Sequence, residues 1–154
     1  MDRTDRILLS ELERDGRQSL TALAERINLS KTPVWSRVHA LENAGTIEGY
    51  RAILNPQAIG LRINAFVHVV TRSAEDYAFQ PAVVAHPSVL ACYSTAGEED
   101  YVLHVVANDV ESLDRILRKE ISRLPGVERC RTTICMSAIK QGGSLMQAAG
   151  AGDD

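Results

Sequence analysis

The residues best suited to recognition chemistry lie between positions 30 and 41. Lys31, Arg37 and His39 fall in this stretch, which holds no acid at all. Thr32 and Ser36 add short hydroxyls and Trp35 adds a ring, a set that suits phosphates and base edges. Catalytic and metal chemistry find less support. Spacing assembles no Ser/His/Asp or Cys/His cluster, and Asp100 beside Tyr101 offers one acid and one phenol, short of a catalytic set. Cys92, Cys130 and Cys135 are odd in number and unpatterned, so they form neither a disulfide framework nor a metal site. Cys130 and Cys135, five apart, are expected on opposite faces of one strand. His68 and His104 sit in apolar runs and read as interface or core histidines. No cofactor is expected, and the cysteine usage suits a reducing cytoplasm.

The net charge of −3 speaks against nucleic acid only until it is divided. Residues 1–60 hold 8 basic and 8 acidic side chains, and residues 61–154 hold 9 and 12. DNA binding depends on the field at the contact face, so the first part is free to bind DNA and the second is a poor phosphate binder. The 154 residues suffice for one domain or two small ones, with 45% hydrophobic and 24% charged residues, an ordinary globular balance. No secretory signal opens the chain and no apolar run is long enough for a membrane helix.

The elements that position the acid-free stretch are set by periodicity. Thr4 is placed to cap a helix reaching Asp15, with Leu8 and Leu12 inward and Gly16 as its stop. Ser19 caps a second helix with Leu20, Leu23, Ala24 and Ile27 on one face. After Asn28-Leu29, Ser30 caps a third, in which Pro33 fits the first turn and Val34, Val38 and Leu41 point inward. A short turn between two such helices is a helix-turn-helix, and Lys31, Thr32, Trp35, Ser36, Arg37 and His39 are then on the outer side. The competing reading is a structural three-helix bundle with a solvated face, in which Arg37 pairs with Glu42 or Glu48 and Trp35 packs under a wing. Thr46–Leu54 is short, β-leaning and interrupted by Gly49, and reads as that wing or hairpin; 55–62 reads as a linker with a turn of helix.

The remainder is an internal repeat. Ile63–Thr71, Val89–Thr95, Tyr101–Ala107 and Val127–Ile139 read as strands, and Ala74–Ala85 and Val110–Leu124 as helices. Pro87-Ser88-Val89 and Pro125-Gly126-Val127 mark equivalent breaks 38 residues apart. The pattern is βαββαβ, the ferredoxin-like split βαβ, with both helices on one sheet face. Apolar residues at nearly every strand position, among them Val67, Val69, Val102 and Leu103, imply burial on both faces. A second copy of the chain is the expected cover. Residues 141–154 read as a flexible tail.

In order and spacing along residues 2–140 the chain resembles the leucine-responsive regulatory protein/AsnC (Lrp/AsnC) family of transcriptional regulators. The matching segments include Asp15-Gly16-Arg17, Leu29-Ser30-Lys31-Thr32-Pro33-Val34, Gly45-Thr46-Ile47, Leu54-Asn55-Pro56, Gly97-Glu98-Glu99-Asp100-Tyr101 and Leu124-Pro125-Gly126-Val127. The resemblance implies an α+β chain: a winged helix-turn-helix (1–54), a linker (55–62), a ferredoxin-like, RAM-type domain (63–140) for effector binding and oligomerisation, and the tail. It implies an operator DNA partner, contacted from Ser30 and Pro33 as well as from Lys31, Thr32, Trp35, Ser36, Arg37 and His39. It also implies dimers, commonly joined into octamers or similar rings, and a small effector, usually an amino acid. The effector segment is Gly97, Glu98, Glu99, Asp100 and Tyr101, with Thr132 nearby: Asp100 for the ammonium, backbone N–H groups near Gly97 for the carboxylate. Trp35 and the acidic pair Glu98-Glu99 depart from the usual family pattern. The alternative is an enzyme on the same scaffold, such as a sirohaem decarboxylase-like protein; the acid-free face of the third helix favours the regulator.

Overall fold

The computed structural model describes residues 1–72 and 76–150. The chain forms two compact units: residues 1–53 with 140–154, and residues 54–139.

In the first unit, α1 (Arg3–Arg14), α2 (Leu20–Arg26) and α3 (Lys31–Asn43) enclose Leu8, Leu23, Ala24, Val34 and Val38. Asp2, not Thr4, caps α1. Its carboxylate accepts from Asp5 N at 2.9 Å while the Asp5 carboxylate accepts from Asp2 N at 2.9 Å. That reciprocal box needs an acceptor three residues on, which Thr4 lacks because Ile7 stands there. Ser19 Oγ accepts from Ala22 N at the start of α2, as expected. Ser30 precedes α3 without a side-chain cap bond.

Helices α2 and α3 end in the same way. Asn28 (φ 54°) and Gly45 (φ 69°) take the left-handed conformation just past each end. Leu29 N then reaches Ala24 O at 3.0 Å, and Thr46 N reaches Leu41 O at 2.9 Å. These closures satisfy the last carbonyls and turn the chain sharply. In the turn before α3 the role falls to Asn, the side chain that best tolerates this conformation after Gly.

The expected wing is absent: among the described residues, 46–54 form no paired strand. Thr46 N and Ile47 N both bond to Leu41 O, which ties the start of the segment to the end of α3. Tyr50 returns to α3 instead, donating its hydroxyl to Glu42 at 3.0 Å. The 141–150 stretch also departs from expectation. It carries a short helix, α6 (Leu145–Gly150), next to α1; residues 151–154 lie outside the described residues.

The second unit is a four-stranded antiparallel sheet in the order β2-β3-β1-β4, made of β1 (Ile63–Thr71), β2 (Val89–Ser94), β3 (Tyr101–Ala107) and β4 (Val127–Ile134). Helix α4 (Asp76–Val84) comes after β1, and the expected start at Ala74 lies outside the described residues. Helix α5 begins at Val110–Arg115 and runs on through a widened π turn (Ile116–Glu120) and a 3₁₀ turn to Arg123. The expected stripe holds through that irregularity: Leu113, Ile116 and Ile121 are buried, with Leu117 and Leu124 packed beside them.

Strand alternation corrects one inference. Ala65, Val67, Val69, Leu103 and Val105 lie in the core with Phe79, Val83 and Leu113, on the face the helices cover. They cannot be the apolar surface offered to a second copy. The opposite face carries Phe66, His68 and Val70 on β1, Val102 and His104 on β3, and Tyr93 on β2, a mixed surface. β4 also ends sooner than expected, so Cys135 lies just beyond it, while Cys130 and Cys92 pack against the core.

Candidate functional site

The outer side of α3 is where periodicity put it. Lys31, Thr32, Pro33, Trp35, Ser36 and His39 are exposed, as is Ser30, while Val34, Val38 and Leu41 are buried. Trp35, 55% exposed, stacks on His39 with ring centroids 5.2 Å apart and planes within 16°. His39 Nδ1 stands 3.6 Å from the Glu42 carboxylate. Trp35, His39, Glu42 and Tyr50 edge a cavity of about 260 Å³ with Gln18 and Leu20.

Arg37 departs from this set. Its Nη1 donates to Asp2 at 2.6 Å and to Asp5 at 2.7 Å, the two carboxylates of the α1 capping box. The bonds hold Asp2 below the usual carboxylate range, after the larger effect of the Asp5 backbone, and push the Arg37 guanidinium up. Neither Glu42 nor Glu48, the partners of the competing reading, is used. Sequence spacing could not pair residues 32 and 35 positions apart.

The turn 95–100 between β2 and β3 is tightly bonded. Thr95 N donates to Asp100 O at 2.8 Å and Thr95 Oγ1 to Glu99 O at 2.5 Å. The Asp100 carboxylate accepts from Thr71 N at 2.7 Å and from Thr71 Oγ1 at 3.2 Å, so it ties the turn to the end of β1. Tyr101 faces the helix side: its ring lies 4.7 Å from Phe79, its hydroxyl accepts from Gln80 at 3.0 Å, and it is 6% exposed. Thr132 stands opposite the buried Val67 and shares that covered face. Gly97 is exposed, without a left-handed φ or a close neighbour.

Glu98 and Glu99 do converge with residues the sequence reading missed. With His68, Val70, Arg129 and Arg131 they line a cavity of about 280 Å³ on the open sheet face. Arg131 Nη2 donates to Glu99 Oε1 at 2.6 Å. Arg129 and Glu98 form no such pair among the described residues. Arg129 and Arg131 stand opposite Val70 and His68 across the β1–β4 ladder. Their i, i+2 spacing on β4 was the available signal, since alternate residues share a face. Among the described residues no group of His, Cys, Asp or Glu is set to hold a metal ion, and no helix is long and apolar enough to cross a membrane.

Comparison with known proteins gives these two regions a common context. Residues 1–42 match the AsnC-type helix-turn-helix domain and residues 64–145 the Lrp/AsnC ligand binding domain. The leucine-responsive regulatory protein of Escherichia coli K12 is 37% identical over 149 residues, covering 95% of this chain and 91% of that protein. The chain belongs to the Lrp/AsnC family of transcriptional regulators. Two solved structures are similar over most of the chain. A Neisseria meningitidis transcriptional regulator in complex with L-Met has a TM-score of 0.90 at 32% identity, covering 94% of this chain and 96% of that one. The feast or famine regulatory protein of M. tuberculosis, complexed with L-methionine, has a TM-score of 0.86 at 38% identity, covering 94% and 98%. As an Lrp/AsnC member the chain is a helix-turn-helix transcriptional regulator, and the comparisons lend no support to the enzyme alternative.

Proposed function

We propose that this regulator reads operator DNA with α3 and changes its DNA affinity when a free amino acid occupies the open-face cavity of the second unit. The observation that carries the reading is the cavity's charge inventory. Arg131 and Glu99 neutralise one another, which leaves Arg129 for an α-carboxylate and Glu98 for an α-ammonium. A zwitterion matches one free charge of each sign, and such charge-assisted bonds are the strong ones. Asp100, already bonded to Thr71, supports the turn, and the ammonium role expected of it passes to Glu98. That two similar regulators hold L-methionine makes it the first candidate.

On the DNA side, Lys31 meets phosphate and Thr32, Trp35, Ser36 and His39 meet the groove, with Ser30 and Pro33 at the approach to the helix. Arg37, held by Asp2 and Asp5, stays outside the contact set. The division of labour is DNA binding over 1–54, a linker at 55–62 and effector binding with self-association over 63–140, in the cytoplasm. At least a dimer results if Phe66, Tyr93 and Val102 on the open sheet face meet a second copy; larger rings of dimers extend the same scheme.

A thermal-shift screen of the twenty amino acids tests the effector reading. A ligand that binds only the folded state adds about 2.7 kcal/mol at a hundredfold excess over Kd. L-Methionine is expected to raise the melting temperature while methioninamide and N-acetylmethionine, each lacking one charge, do not. Equal shifts from the blocked forms, or none from any amino acid, would sink it.

A further inference from the structure

The 140–150 segment has no part in effector or operator binding as proposed, yet it returns to the first unit and is bonded there. Ser144 Oγ donates to Glu13 Oε2 at 2.5 Å, Leu145 N to Glu13 Oε1 at 2.6 Å and Met146 N to Glu13 Oε2 at 3.3 Å. One carboxylate on α1 thus collects three donors from residues more than 130 positions away. Ser144 meanwhile caps α6, its Oγ accepting from Gln147 N at 3.1 Å. The Ser144 hydroxyl, then the Leu145 and Met146 amides, hold the Glu13 carboxyl below its ordinary range. Of the two large apolar side chains of the segment, Leu145 is largely exposed and Met146 is half-buried. The hydrogen-bonded part of the attachment is centred on one side chain, Glu13, so a single substitution can release it.

Connectivity gives this contact a consequence. The chain leaves the first unit after Ile53, forms the sheet, and re-enters at Lys140. The DNA-binding unit is thus tied by two covalent crossings: one through the linker, the other through the residues after β4. Only the second depends on a non-covalent anchor. We propose that Ser144–Met146 and Glu13 form a clasp that restricts the DNA-binding unit, so that a dimer presents its two reading helices at a defined separation. A second tether reduces the orientations open to each unit and raises the effective concentration for the second half-site when the spacing fits. The inference rests on the dimeric reading of the assembly.

The test uses the full-length protein, Glu13→Ala and a chain ending at Lys140, with duplexes selected from a random pool by the wild type. Hydrogen exchange at Leu145 and Met146 should be slow in the wild type and fast in Glu13→Ala, with the amides of α3 and β1 unchanged. Both variants should bind a duplex with two half-sites at least fivefold more weakly, and a single half-site within twofold of wild type. Fast exchange in the wild type, unchanged two-site affinity, or equal weakening on both duplexes would each overturn the clasp. Sedimentation of the same samples separates the two readings: a wild-type monomer removes the assembly, and the exchange rates still decide whether the clasp forms.

Discussion

Two arginine-bearing surfaces of this protein differ in how their charge is held. On α3, Arg37 is bound at one nitrogen by Asp2 and Asp5. On β4, Arg131 is bound by Glu99, but its neighbour two residues away, Arg129, is left without an ion pair among the described residues. An arginine already held by two carboxylates must release those bonds before it serves a ligand, whereas an unpaired one releases only water. Residue type in a promising place is therefore a weaker guide than residue type together with the bonds the fold has already made to it.

Breaking the free side of this comparison should cost most. Arg129→Ala is expected to weaken L-methionine binding about tenfold to a hundredfold, the range for losing a hydrogen bond to a charged group. Arg131→Ala should cost less, because it also frees Glu99; calorimetric titration of both variants checks the order. On the DNA side, Trp35→Ala should weaken operator binding about tenfold, a typical single base-edge loss. Arg37→Ala should stay within about threefold on the same duplex in a mobility-shift assay. Reversing that order would return Arg37 to the contact set.

Smaller effects sharpen the comparison further. Asp2→Asn with Asp5→Asn releases Arg37, so the slope of log affinity against log salt should steepen by about one phosphate's worth; Lys31→Ala should flatten it by the same amount. The smallest effect concerns His104, which shares the open face with Phe66 and lies 2.7 Å from Asn64. Burial lowers its pKa, so the folded state disfavours the proton. The unfolded chain then binds more protons as the pH falls through the ordinary histidine value of about 6.5, and stability declines. Melting at pH 7.5 and 5.5 should show a smaller drop in His104→Gln than in wild type.

What the sequence made legible was whatever repeats with a local period. Val34, Val38 and Leu41 announced α3 and its outer face, and β1 and β3 matched their expected residues. What it hid were pairings across distance: Arg37 with Asp2, Arg131 with Glu99, Glu13 with Ser144. None has a spacing rule, because each is made by tertiary approach. The error over Val67 and Leu103 has a different origin. Their strands are apolar at successive positions, so composition alone could not show which alternate set the helices cover. The wing failed for a third reason, since a strand is defined by a partner and 46–54 has none among the described residues.

The discontinuity of the first unit bears on how such a gene can be recombined. A single crossover after the codon for Ile53 would transplant α1, α2 and α3 but leave behind the stretch that comes back to Glu13. The recipient's own ending would have to supply a hydroxyl and two amides at the right distance, or the transplanted helices would arrive unanchored on one side. Chimaeras that keep the anchor therefore need two exchanges, one at each crossing of the chain.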